Sequence, residues 1–146
     1  MPISCKGLKG VLPDTYIREL VKLGHVDGTS PSNVGSSSLD VSISTEMYIV
    51  PVLPLPRKGE SIRELIKSVR GTRHDISDPL YTGQTYVVRL NEKVNLPEEI
   101  RAYGNPKSTT GRTGVHVQLL ADGVPAYDTI PAGYKGDLWL EVKLLA

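Results

Sequence analysis

The sequence contains no phenylalanine, and aromatic residues make up only 5% of its 146 positions. A core must therefore be assembled from Val, Ile and Leu, whose branched side chains suit the pleated surface of a sheet better than a bulky helical bundle. There is one cysteine, Cys5, which excludes an internal disulfide and a multi-thiolate metal site. Neither sign of charge is in excess. Seventeen Lys and Arg against sixteen Asp and Glu leave +1, so no global field favours a nucleic-acid backbone. No apolar run approaches the ~18 residues that span a bilayer. The stretch around Lys6 and Lys9 lacks the apolar segment of a secretory signal. We therefore expect one domain over residues 1–146, soluble and cytoplasmic, with neither nucleic acid nor membrane as partner.

Fourteen Gly and eleven Pro are spread along the chain, which predicts many short elements separated by turns. The first helix is expected over Asp14 to Leu23, capped by Asp14 and stopped by Gly24. The second is expected over Ser61 to Arg70. Ser61 and Glu64 supply a capping box, Ile62, Leu65, Ile66 and Val69 an apolar stripe, and Gly71 the stop. Elsewhere the period is two. Strands are expected at Leu39–Ile43, Met47–Leu53, Gln84–Leu90, from Val115 to Leu119, and from Leu138 to Leu144. Pro51 should mark an edge or bulge. The pattern is a mostly-β sandwich or barrel with two short helices.

The densest polar cluster runs from Gly104 to Gly114, with Lys107, Arg112, four hydroxyls and three glycines directly before a strand. Glycines let backbone N–H groups approach an anion, and the side chains add charged and neutral donors. Two readings stand: a phosphate cradle, or a polar turn between strands. Walker A spacing is missing, which argues against a P-loop. Glu141 sits mid-strand on the face of Trp139 and Lys143. A carboxylate beside a large aromatic can be desolvated into a general base, and it can equally be an ordinary partner of Lys143. Asp40 lies on a polar strand face, where it could brace a turn or a subunit contact. His25, His74 and His116 have no ligand-like spacing.

Three stretches together resemble the dCTP deaminase and dUTPase superfamily. Asn105–Arg112 is similar to its phosphate-binding motif, Ile130–Glu141 to its nucleoside-binding hairpin and following strand, and Ser37–Val41 to its early strand motif. The match is best to the N-terminal half of long, duplicated dCTP deaminases and spans about residues 10 to 145. The resemblance implies a distorted, dUTPase-like β jelly roll, a homotrimer with sites at subunit interfaces, and Mg2+ held through the nucleotide triphosphate. It implies a hydrolase that converts dCTP to dUTP, with Glu141 as general base and Ser108 and Arg112 orienting water and carboxylate. Lys107, Ser108, Thr109 and Arg112 fall at nucleotide-binding positions, Ala121 where backbone holds the water and base, and Tyr134 where an aromatic packs in the hairpin. The H-x-E and P-C-x-x-C elements of zinc-dependent nucleobase deaminases are missing, so the chemistry is expected to need no protein-held zinc.

Two alternatives remain at this level. One is a catalytically inactive relative that binds nucleotide (dCTP, dUTP or dTTP) or serves in assembly. It is suggested because family members continue through further strands and a closing segment that a chain ending at Ala146 is expected to lack. The other is dUTP pyrophosphatase activity. In dUTPases the water-activating carboxylate is an Asp within the hairpin. Here Ile130-Pro131-Ala132-Gly133 carries none, and Asp128 lies two residues before Ile130. The Asp122–Thr129 region is also longer than the family pattern.

Overall fold

The structure, a computed structural model, describes residues 10–106 and 114–145. Among the described residues two α-helices, α1 (Asp14–Lys22) and α2 (Ile62–Ser68), accompany eight strands. The strands are β1 (Val26–Asp27), β2 (Ile43–Val50), β3 (Thr72–His74), β4 (Thr85–Asn95), β5 (Ala102–Tyr103), β6 (Val115–Ala121), β7 (Thr129–Ile130) and β8 (Lys135–Leu144). Five strands form an antiparallel path β3-β2-β4-β8-β6, β1 extends it by pairing with β4, and β5 and β7 form a separate ribbon. The architecture is mostly β with two short helices and fits the jelly-roll class. No helix among the described residues is long and apolar enough to cross a membrane.

The second helix starts as its sequence dictates. Ser61 Oγ accepts from Glu64 N at 3.1 Å, while the Glu64 carboxylate accepts from Ser61 N at 3.4 Å. Its end differs from expectation. Arg70, with φ 60°, takes the left-handed position. Gly71 is needed instead for space, because a Cβ there would lie 2.8 Å from Ile66 Cγ2 and 2.9 Å from Val50 Cγ1. At α1 the residue before the helix is Pro13, whose carbonyl accepts from Tyr16 N and Ile17 N. Asp14 lies inside the first turn and pairs with Arg18 at 3.7 Å rather than capping.

Two strand expectations are corrected. Leu39 joins only an isolated bridge with Val34, and the chain enters the sheet at Ile43. The run expected to reach Leu53 ends at Val50, because Pro51 has no N–H to offer the ladder. β4 continues beyond Leu90 through a register shift between Arg89 and Lys93, which lets one edge serve β2 first and β1 later.

The central strands bury both faces. One face of the sheet carries Val50, Val87, Leu120 and Trp139 under Ile62, Leu65 and Ile66 of α2. The other carries Leu90, Leu119, Ala121 and Leu138, packed with Leu20 of α1 and Ile130 of the β5–β7 ribbon. This is why Trp139 and Glu141, on the polar side of the simple alternation, are 0% and 2% exposed.

Candidate active site

The strand register sets three rows of side chains across the α2 face. Arg89, Trp139 and Leu120 form one row, Tyr48, Val87, Glu141 and Gln118 the next, and Val50, Thr85, Lys143 and His116 the third. Glu141 therefore sits on an interior strand, between β4 and β6, with Trp139 and Lys143 two residues away on the same strand. Lys143 Nζ lies 3.4 Å from Glu141 Oε1. Tyr127, in the β6–β7 connection, packs against the cluster that contains Trp139 and Leu120. Burial first, and then the charge of Glu141, push the Tyr127 phenol up.

The adjoining row holds an ion network around the buried Glu46. Glu46 accepts from Tyr48 Oη at 2.8 Å, from Arg89 Nε at 3.0 Å and from both terminal nitrogens of Arg63. Burial alone would raise the Glu46 carboxyl. The hydrogen bonds from Arg63, Tyr48 and Arg89 outweigh that and hold it at about 2. Arg63 also lies over the Trp139 ring, 5.2 Å from its centroid, so α2 is clamped onto the strand that carries Glu141.

An open groove of about 320 Å³ runs along β6, lined by Pro106, Gly114, His116, Gln118, Asp128 and Leu145 among others. Lys107, Ser108, Thr109 and Arg112 lie outside the described residues. Pro106 and Gly114, on either side of that motif, both line the groove, as does Gln118, the cross-strand neighbour of Glu141. Asp40 stands before β2, where its backbone N–H donates to Asn33 O at 2.9 Å and braces the preceding turn.

Ala121 is fully buried on β6, opposite Leu138, and its carbonyl accepts from Val124 N at 3.2 Å. Tyr134 is buried just before the start of β8. Its hydroxyl accepts from Asp122 N at 2.9 Å and donates to Asp137 O at 2.7 Å, bracing the two ends of the hairpin. Burial pushes this phenol up to about 12. Asp122 in turn accepts from Ile62 N at 2.8 Å and ties the hairpin to α2. Among the described residues no group of three or more His, Cys, Asp or Glu is placed to hold a metal.

The family described as "2'-deoxycytidine 5'-triphosphate deaminase (DCD) N-terminal domain" matches residues 8–145. The chain belongs to this family. The crystal structure of 2'-deoxycytidine 5'-triphosphate deaminase from Agrobacterium tumefaciens is 30% identical and superposes with a TM-score of 0.86. That alignment covers 94% of this chain and 42% of the other, so the chain spans less than half the length of that relative. No curated protein gives a match.

In this deaminase-family domain the sequence reading named Glu141 but not the ion network in the adjoining row. Arg63, Arg89 and Glu46 converge from three elements. Their separation along the chain leaves no local pattern to read. The one available signal was the capping box of α2, which fixes the helix start and with it the placement of Arg63 two residues later.

Proposed function

We propose that this domain carries out zinc-independent hydrolytic deamination of dCTP to dUTP, with Glu141 as general base. The observation that carries the reading is a carboxylate buried on an interior strand of the sheet in a dCTP deaminase-family domain. It is paired with a lysine, and its cross-strand neighbour Gln118 lines a groove that Pro106 and Gly114, the residues on either side of the hydroxyl- and glycine-rich motif, also line. In this reading Glu141 takes a proton from water, the hydroxide adds to C4 of cytosine, and protons pass to N3 and the departing amine, which leaves as ammonia. Lys143 compensates the charge of the carboxylate before the transfer. Ser108 and Arg112 orient the water and base, and Lys107 and Thr109 bind phosphate oxygens, with Ala121 and Tyr134 supporting the pocket. The substrate is the magnesium complex of the triphosphate, the ion being held by the phosphate oxygens. The assembly is a homotrimer.

Asp128 supports deamination over pyrophosphate release. Its Oδ1 accepts from Leu119 N at 2.7 Å, so this acid is committed to the backbone.

The test is product analysis with dCTP and Mg2+. Ammonia should appear without pyrophosphate, Glu141→Gln should abolish it, and sedimentation should give three chains. Pyrophosphate from dUTP would replace this reading with a dUTP pyrophosphatase, and calorimetric binding of dCTP, dUTP or dTTP without turnover would replace it with a nucleotide-binding module.

A further inference from the structure

Glu141 is 2% exposed and does not itself line the groove along β6. Gln118 belongs to both places. It is the direct cross-strand partner of Glu141, so the two side chains leave the sheet on one face with Cβ atoms roughly 5 Å apart. It also lines the groove. Gln118 is half-buried, and among the described residues nothing hydrogen-bonds its side-chain amide. The other polar side chains of the groove are placed differently. Asp128 Oδ1 is taken by Leu119 N at 2.7 Å. His116 is exposed and lies one row further along, opposite Lys143 rather than Glu141. Among the described residues Gln118 is therefore the groove side chain that sets both a donor and an acceptor beside the buried carboxylate.

We propose that the Gln118 amide is the specificity contact for the pyrimidine of the substrate, its Oε1 accepting from the exocyclic amine and its Nε2 donating to the neighbouring ring nitrogen N3. The proposal rests on the deaminase reading above and names the residue that selects the base. A primary amide matches this edge with two parallel hydrogen bonds. Glu141 already has Lys143 for a partner at 3.4 Å, which leaves the amide free for the ligand. Held in this way, C4, the carbon between the amine and N3, lies on the side of Glu141. The groove, at about 320 Å³, has room for a pyrimidine ring. Deamination reverses the pattern of the edge. The product carries a carbonyl oxygen at C4 and a proton on N3, so acceptor meets acceptor and donor meets donor. In its substrate orientation Gln118 thus disfavours product, which promotes release.

Calorimetry on the intact protein tests it, in the Glu141→Gln background so that dCTP is not consumed. Gln118→Met keeps the length of the side chain and removes only the amide. In that background it should weaken binding of dCTP with Mg2+ roughly tenfold or more. Inorganic triphosphate, which has no base, should bind within about twofold of its affinity before the substitution. With Glu141 intact, Gln118→Met should lower kcat/KM for dCTP by a similar factor at an unchanged thermal midpoint. Unchanged dCTP affinity, or an equal loss for dCTP and inorganic triphosphate, overturns the proposal. dCTP binding that depends on Gln118 in a wild-type protein that releases no ammonia overturns the deaminase reading and leaves the contact with the base standing.

Discussion

Lys143 and Glu141 form an ion pair along one strand, 3.4 Å apart, in which the carboxylate side is buried and the ammonium side is half exposed. The asymmetry matters. Water already solvates the lysine, so the pair is worth less than a fully buried one, yet the glutamate depends on it for charge compensation.

Lys143→Met keeps most of the apolar stem and removes the charge. It should cost about 1 kcal/mol of stability, the discount from a buried pair reflecting exposure of the ammonium. Urea unfolding at pH 7 checks the stability; under the proposed deaminase reading, ammonia release from dCTP should also fall roughly tenfold or more.

Glu46 should give the protein an acid limb. Its carboxyl is held at about 2 against an ordinary 4.5. A depressed folded-state value contributes stability that is present above pH 4.5 and is lost as pH falls through about 2. The loss should be about 3 kcal/mol, since each pH unit separating the folded and unfolded values is worth about 1.4 kcal/mol. Denaturant midpoints measured from pH 5 to 2 should drop steeply in the wild type and more gently in Glu46→Gln, whose curve starts lower.

Asp128 combines a left-handed backbone with a side-chain bond to Leu119 N. Asp128→Asn retains an acceptor and tolerates that backbone, so it should change stability by less than about 0.5 kcal/mol. Asp128→Ala loses both features and should cost about 2 kcal/mol. Equal thermal shifts in the two variants would show that the bond to Leu119 N and the left-handed backbone do not act as described.

Gly28 and Gly59 have nearly the same φ, 83° and 82°, in different surroundings. A Cβ at Gly28 would sit 2.5 Å from the Asn91 carbonyl oxygen, at the bulge of β4, whereas at Gly59 nothing lies within 4 Å. Gly59→Ala should cost about 1 kcal/mol from backbone strain alone. Gly28→Ala should cost at least about 2 kcal/mol more, because a backbone atom cannot step aside. Parallel thermal melts check the difference.

Legibility in the sequence followed range. The Ser61–Glu64 box and the Gly24 stop lie within one turn of chain, and both helices appeared where they point. The longer strands were read from alternation, but β1, β3, β5 and β7 have two or three residues each, too few to show a period. Alternation also hid the depth of Glu141. It separates two faces, yet it does not say that both will be covered, and β8 is sandwiched between β4 and β6 with α2 above. Glu46, Arg63 and Arg89 are joined only by the fold, so nothing in the neighbourhood of any one of them announces the others.

The strand order carries a consequence for how the protein is made. β8 follows every other strand described, yet it stands between β4 and β6 in the finished sheet. While the polypeptide is being synthesised, β4 has one edge without its neighbour and β6 has none to lean on until the residues of β8 emerge from the ribosome. Closure of the sheet is therefore a late event, dominated by contacts distant in sequence, and the nascent chain depends during that interval on whatever shields its open strands from one another.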